Sequence, residues 1–256
     1  MLKVKILGTA TAVPRWKQSR TAFLLERDNK QFLVDCGSRR ILYKTNPLSL
    51  SKIFISHLHA DHIQYLGLLI LKLFFTHLFR AKPVEIYCLR GHKKYLQHYI
   101  RIFTPAIKLK FVEFIELDIK NIGTVFQNNG MEVSAARATH AHPTLCYSFK
   151  FPEGKVMFAS DTCANNRNII KIAKNSDYLI HECVFRSSFP KQYSKRGHST
   201  TRGAGLDARL SHSKNLIITH YNINRFKDRK KMVAEIRDEY DGKIIIADDM
   251  LTFSIP

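Results

Sequence analysis

The sequence predicts an α/β protein whose strands form a sheet sandwich, with the functional residues gathered at one edge. Three observations predict this. Short β-rich runs and helical stretches are mixed along the chain, in two roughly similar halves. No short-period repeat and no linker interrupts the 256 residues, so 1–256 reads as a single domain. Potential metal ligands recur where a predicted strand ends, at His57, His140, Asp161, His181 and His220, and residues at the ends of adjacent strands converge in space. The 45% hydrophobic share supports a large core, as one body or two tightly packed halves.

Taken in order, Leu2, Val4 and Ile6 alternate with Lys3 and Lys5, the period of a strand over 2–7. Gly8-Thr9-Ala10-Thr11-Ala12-Val13-Pro14 ends it, and a loop with Arg15, Lys17 and Arg20 follows. Residues 21–26 and 31–35 read as a hairpin around Asp28-Asn29-Lys30. Asp35-Cys36-Gly37 turns into a short basic helix with Arg39 and Arg40. Lys52-Ile53-Phe54-Ile55 is a strand, and the apolar stretch 63–76 a buried helix. A strand over 84–88, a helix over 91–103 and strands over 108–115, 124–127 and 131–139 come next. Residues 145–151 and 156–159 form a hairpin around Pro152-Glu153-Gly154. The remainder reads as a helix at 169–174, a buried strand at 178–180, a basic loop at 191–198 and a helix at 200–210. A strand at 216–219, a charged helix at 227–238 and closing strands at 243–246 and 251–254 complete the chain.

The stretch Ser56-His57-Leu58-His59-Ala60-Asp61-His62 sits where a strand hands over to a helix. Three imidazoles and one carboxylate within six residues are a donor set suited to zinc. His57 and His59 are two apart and project to the same side of extended backbone. Asp61 and His62 follow the turn and can reach a second metal about 3.5–4 Å away, the spacing of a two-metal hydrolytic clamp.

Composition narrows the setting. Five scattered cysteines, odd in number and without a CxxC pair, argue against a disulfide framework and for a reducing interior. Cys36, Cys163 and Cys183 stand beside motif residues and could offer a soft ligand; otherwise they are small buried residues. The N-terminus lacks the apolar run and cleavage site of a signal peptide. The most apolar stretch, 66–75, is too short to span a membrane and contains Lys72, so the expected place is the cytoplasm. The net charge of +20, with 41 Lys and Arg against 21 Asp and Glu, attracts polyanions, nucleic acid first among them. A compositional bias towards Lys is the competing account.

At this point the residues resemble a family, the metallo-β-lactamase superfamily, and within it the RNase Z-like phosphodiesterases. His57-Leu58-His59-Ala60-Asp61-His62 is similar to the superfamily's HxHxDH. Leu7 to Pro14, followed by Arg20, resembles the branch's first motif. His140 with Cys146-Tyr147 resembles its HxxxxxGY, with Cys in place of Gly. Ser160-Asp161-Thr162 resembles GDT, His181-Glu182-Cys183-Val184-Phe185 resembles HEATF, Gly197-His198-Ser199-Thr200 is GHST, and Thr219-His220-Tyr221 resembles THF. The seven matches run in order over almost the whole chain. Two features depart from the branch. Only eighteen residues separate His142 from Asp161, leaving no room for the long arm with which many RNase Z enzymes grip tRNA. Gln64-Tyr65-Leu66-Gly67-Leu68 stands where Gly-Leu-Pro-Gly is usual.

The resemblance implies the four-layer αββα sandwich of the metallo-β-lactamase fold and two Zn²⁺, with Mn²⁺ an alternative. It implies that His57, His59 and His140 hold one metal, that Asp61, His62 and His220 hold the other, and that Asp161 bridges them. His142 competes with His140, and the match to Tyr147 favours His140. His198 is the candidate general acid, with Glu182 orienting it; Asp61 can also accept a proton; His181 supports from outside the ligand set. Arg15, Lys17, Arg20, Lys195 and Arg196 are candidate phosphate contacts. His77, His92, His98 and His212 read as surface or ordinary helix residues. The expected function is a dinuclear-zinc endoribonuclease that removes the 3′ trailer of tRNA precursors by hydroxide attack on phosphorus, acting as a homodimer. The alternatives are a phosphodiesterase for a cyclic nucleotide or phosphorylated sugar, and an inert RNA-binding relative.

Overall fold

The computed structural model describes residues 1–256 except 15–17, 80, 129, 189–196 and 223–227. The N-terminal alternation forms β1 (Leu2–Gly8), which buries Leu2, Val4 and Ile6 and leaves Lys3 and Lys5 partly exposed. It pairs antiparallel with β2 (Ala22–Arg27) on one side and β14 (Thr252–Ile255) on the other. β2 returns as β3 (Lys30–Val34) through Asp28 and Asn29, whose φ angles of 48° and 59° suit a type I′ turn. From β3 the sheet continues parallel through β4 (Leu50–Phe54), β5 (Val84–Leu89) and β6 (Val112–Leu117). Its order is β14-β1-β2-β3-β4-β5-β6.

Between these strands run α1 (Ile41–Lys44), α2 (Ala60–Ile63), α3 (Leu66–Phe74) and α4 (Lys93–Phe103). Leu66, Leu69, Ile70 and Leu73 of α3, with Leu96 and Ile100 of α4, share a core with Ile53, Ile55, Ile86 and Cys88 of the sheet. Burying each such Leu or Ile contributes about 1.5–3 kcal/mol of transfer free energy, which is what fastens the helix layer to the strands.

The second sheet repeats the plan. β7 (Ile122–Asn128), β8 (Met131–Arg137), β9 (Leu145–Phe151) and β10 (Gly154–Ala159) form an antiparallel meander. β11 (Tyr178–Glu182), β12 (Asn215–Thr219) and β13 (Lys243–Ile246) then add in parallel. Each sheet thus makes three antiparallel pairings and then three parallel ones. α5 (Arg167–Ala173), α6 (Thr201–Leu210) and α7 (Arg229–Arg237) share a core with Met157, Leu179, Leu216 and Ile218. The chain divides into two compact units, one made of Met1–Ala12, Gln18–Asp118 and Asp249–Pro256, the other of Val13–Lys17 and Ile119–Asp248.

Several elements differ from expectation. The single helix expected over 63–76 is two, because the Tyr65 N–H donates to the Cys36 carbonyl (2.8 Å) and the Tyr99 hydroxyl donates to the Gln64 carbonyl (2.6 Å). Those tertiary bonds take the groups that a continuous helix would use. The strand expected from 108 begins at Val112, where pairing with Val84 starts, after turns closed by Ile107 N–H to Thr104 O and Val112 N–H to Leu109 O. Arg39 and Arg40 lie in the turn before α1 rather than within it. Among the described residues, no helix is long and apolar enough to cross a membrane.

Candidate metal centre

The first unit supplies a local set of donors. β4 ends at Phe54, His59 is still extended where α2 begins, and so Asp61 and His62 fall in the first turn of a helix. His57 and His59 do face the same side: His57 Nε2 and His59 Nδ1 are 2.9 Å apart. The ring orientation is fixed from behind by Asp35, a residue that motif reading passed over. Its Oδ1 accepts the Ser56 N–H (2.8 Å), and its Oδ2 accepts from Ser56 Oγ (2.8 Å) and His62 Nδ1 (2.7 Å). Ser56 Oγ donates to Asp35, so at 3.0 Å from His57 Nδ1 it accepts a hydrogen bond from that ring's N–H. Both His57 and His62 therefore carry the proton on Nδ1 and keep the Nε2 lone pair for a metal, the usual role of an outer carboxylate. Asp35 adopts φ 58°, and its neighbour Gly37 is required by packing: a Cβ there would lie 1.7 Å from the Asp61 carbonyl oxygen.

The second unit gathers its site residues from four strand ends. β8 leads to His140, β10 to Asp161, β11 ends at Glu182 and β12 leads to His220, which sits at φ 46°. The parallel register sets Ala159 beside His181 and Glu182 beside Thr219, bringing these ends level. Asp161 is buried and turns Oδ1 towards His220 Nε2 (3.4 Å) and Oδ2 towards His140 Nε2 (3.9 Å). A carboxylate that offers one oxygen to each of two imidazoles is arranged as a bridge. His140 Nδ1 donates to the Gly197 carbonyl (2.7 Å), which leaves Nε2 as its lone-pair nitrogen. Gly197 has φ 86° and its missing Cβ would lie 2.6 Å from the His140 Cα, so only glycine fits. Burial holds the His140 imidazole below its ordinary pKa despite Asp161 and the Gly197 carbonyl, which favours the neutral ligand form. His142 is exposed.

His198 is partly exposed, and its Nδ1 donates to Glu182 Oε1 (2.9 Å). Glu182 is buried and also accepts the N–H groups of Thr162 (3.0 Å, on Oε1) and Val184 (3.1 Å, on Oε2). His181 is fully buried between Asp207 and the Glu182 carbonyl.

The donors suit zinc. A tetrahedral ion with ~2.0–2.1 Å bonds places its ligand atoms about 3.3 Å apart, close to the His220–Asp161 (3.4 Å), Asp61–His62 (3.8 Å) and His140–Asp161 (3.9 Å) separations. Among the described residues, the clusters able to hold an ion consist of His and Asp. Cys36 and Cys183 are buried, which pushes their thiols well above the usual pKa and away from the thiolate a metal needs. Cys146, the departure from HxxxxxGY, packs into the core of the second unit.

The candidate phosphate contacts Arg15, Lys17, Lys195 and Arg196 lie outside the described residues. Arg20 donates to the Ala12 carbonyl (3.1 Å) and to Gln64 Oε1 (2.7 Å), bracing its own loop. That loop is fastened by Asp249, which takes the Thr9 N–H (2.9 Å), the Thr9 hydroxyl (2.7 Å) and the Ser19 N–H (2.6 Å) and pairs with Arg40. Of the histidines expected to be ordinary, His92 is buried ahead of α4, and His77 stacks on Phe74.

The model of a family described as anti-Pycsar protein Apyc1 matches residues 2–234. Ribonuclease Z of Methanothermobacter thermautotrophicus is 25% identical over 312 aligned positions, covering 100% of this chain and 97% of the relative. At least 56 of those positions have no residue in this chain. The metallo-β-lactamase fold protein YhfI from Bacillus subtilis superposes with a TM-score of 0.81 at 20% identity, over 98% of both chains. The short form of human tRNase Z gives 0.79 at 24% identity, over 99% of both. These likenesses show the αββα fold expected from the motifs.

Proposed function

The chain belongs to the family of the anti-Pycsar protein Apyc1, and from that premise we propose that it is a dinuclear zinc phosphodiesterase acting on a nucleotide phosphodiester. It is an RNase Z-like metal-dependent hydrolase of the metallo-β-lactamase superfamily. The observation that carries the proposal is the Asp161 carboxylate, with one oxygen towards His140 and the other towards His220. By the motif resemblance, one ion would rest on His57, His59 and His140 and another on Asp61, His62 and His220, with Asp161 shared.

Bound divalent ions would acidify water and neutralise charge growing on the phosphoryl oxygens. The side chains do the rest. Asp61 can take the proton of the attacking water. As the water oxygen bonds to phosphorus and the P–O3′ bond breaks, His198 Nε2 gives its proton to the departing 3′ oxygen. Glu182 holds His198 by Nδ1 and stabilises the charged ring.

Two substrates fit this one reaction. A compact diester, such as a cyclic nucleotide, is favoured because β9 and β10 are joined by a tight turn, Phe151 pairing with Gly154, where a tRNA-gripping arm would have to emerge. A tRNA precursor is favoured by the curated Ribonuclease Z relatives and the net charge of +20. A homodimer is supported by the exposed apolar side chains Phe75, Leu78 and Phe79.

The test uses purified protein, metal analysis and three substrates: a 3′,5′-cyclic nucleotide, a 3′-extended tRNA and bis(p-nitrophenyl) phosphate. Two zinc equivalents and cyclic-nucleotide opening are expected. His198→Ala should keep its metal, lose ~10²–10⁴-fold on the nucleotide substrate and lose far less on the nitrophenyl ester, whose leaving group needs no proton. Trailer removal without cyclic-nucleotide opening selects the tRNA reading. Loss of metal in His198→Ala overturns the assignment of its role.

A further inference from the structure

We propose that Asp207 is a positioning residue for the general acid: it holds His181 as a buried imidazolium and thereby ties together the three segments that carry Asp161, Glu182 and His198. The proposal rests on the reading of His198 as proton donor.

Asp207 lies on α6 and is 1% exposed. Its Oδ2 is 3.2 Å from His181 Nε2, and its Oδ1 accepts the Asn165 N–H at 2.7 Å. The other ring nitrogen, His181 Nδ1, is 2.7 Å from the Glu182 carbonyl oxygen. A carbonyl and a carboxylate can only accept, so both ring nitrogens must carry protons and the ring is charged. Burial alone opposes that charge, but the hydrogen bond and charge of Asp207, together with the Glu182 carbonyl, outweigh it and raise the His181 pKa.

The pair links three places. Asn165 lies four residues beyond Asp161, on the loop that leaves β10. His181 immediately precedes Glu182 at the end of β11. α6 begins three residues after His198. Glu182 Oε1 then receives both the Thr162 N–H and His198 Nδ1, so it too reads the spacing of these segments. A shift of any one changes the angle at which Glu182 meets His198. Neither Asp207 nor His181 is exposed to a substrate, so their effect passes through Glu182. Backbone bonds between Phe185 and Ser199 and between Thr201 and Phe185 also join the two stems, which gives a substituted protein a means of remaining folded.

Asp207→Asn removes the charge that stabilises the imidazolium. With its metal retained, this variant should lose on the order of 10–100-fold on a nucleotide diester, as outer partners of a site do, and much less on bis(p-nitrophenyl) phosphate. In the His198→Ala background the same substitution should cost nothing further, because both act through one proton transfer. A readout independent of activity is ¹H–¹⁵N NMR of the histidine rings. Wild type should show two protonated nitrogens on His181 at pH 8, and Asp207→Asn one. Should Asp207→Asn fail to fold, His181→Gln, which leaves the Asn165 bond to Asp207 in place, carries the same comparison. A single ring N–H in wild type overturns the imidazolium. Equal losses on both substrates, or a full additional loss in the double variant, overturn the positioning role. If wild type hydrolyses neither substrate, the phosphodiesterase reading fails, while the ring spectrum still judges the ion pair.

Discussion

The two units supply ligands of the same chemistry in opposite ways. The first places four donors within six residues, at one junction between a strand and a helix, with Asp35 behind them. The second collects His140, Asp161 and His220 from separate strand ends and depends on the parallel register of β10, β11 and β12 to bring them level. A local set is shaped by its own turn and one supporting carboxylate. A distributed set is shaped by a whole sheet, and in return it yields a residue, Asp161, that can serve two ions at once.

The sharpest way to break this comparison is to remove one donor from each set. His59→Ala should reduce bound zinc to about one equivalent, whereas Asp161→Ala should lose both ions and all activity above background, because the proposed reading shares Asp161 alone between the two. Metal analysis after dialysis against a weak chelator measures this, and identical stoichiometry in the two variants would show that Asp161 is not shared. A smaller effect tests the support of the local set. Asp35→Asn should weaken zinc by roughly 10–100-fold, the usual consequence of losing an outer carboxylate, as read by chelator competition; unchanged affinity would mean that the turn alone orients His62.

The smallest expected effect concerns stability in the distributed set. His181 has a raised folded-state pKa. Its contribution is therefore fully present below its unfolded value of about 6.5 and fades as pH rises through the folded value. The gap in urea midpoint between wild type and His181→Gln should accordingly be wider at pH 6 than at pH 9. A gap that widens with pH would reverse the sign and with it the charge assigned to the ring.

Sequence reading named the candidate donors and passed over most of their supports. His57 to His62 announce themselves because four ligands crowd one turn, and the strand-end positions of His140, Asp161 and His220 follow from local β patterns. Asp35, Asp207 and Asp249 carry no such mark. Each acts on a partner distant in the chain, with Asp35 reaching His62 and Asp249 reaching Thr9, and an aspartate at a loop or on a helix looks the same whether or not a partner arrives. The broken helix at Gln64 and Tyr65 eluded pattern for the same reason. Its cause is a bond to Cys36 and another from Tyr99, neither visible in the local apolar run. Gly37 and Gly197 could have been suspected, since each adjoins a motif, but the close approach that demands them belongs to the folded backbone.

Asp249 and β14 also bear on how the chain is made. The ribosome releases a protein from its N-terminus, yet β1 obtains one of its two neighbours, and Thr9 and Ser19 their carboxylate, only when residues 249–256 emerge. Until then β1 is a bare sheet edge, the kind of surface on which strands of other chains add themselves. The second sheet, β7 to β13, by contrast, is continuous in sequence and has all its strands once residue 246 has left the tunnel. A premature stop just before Asp249 would therefore spare every proposed ligand and yet produce a chain prone to self-association during synthesis.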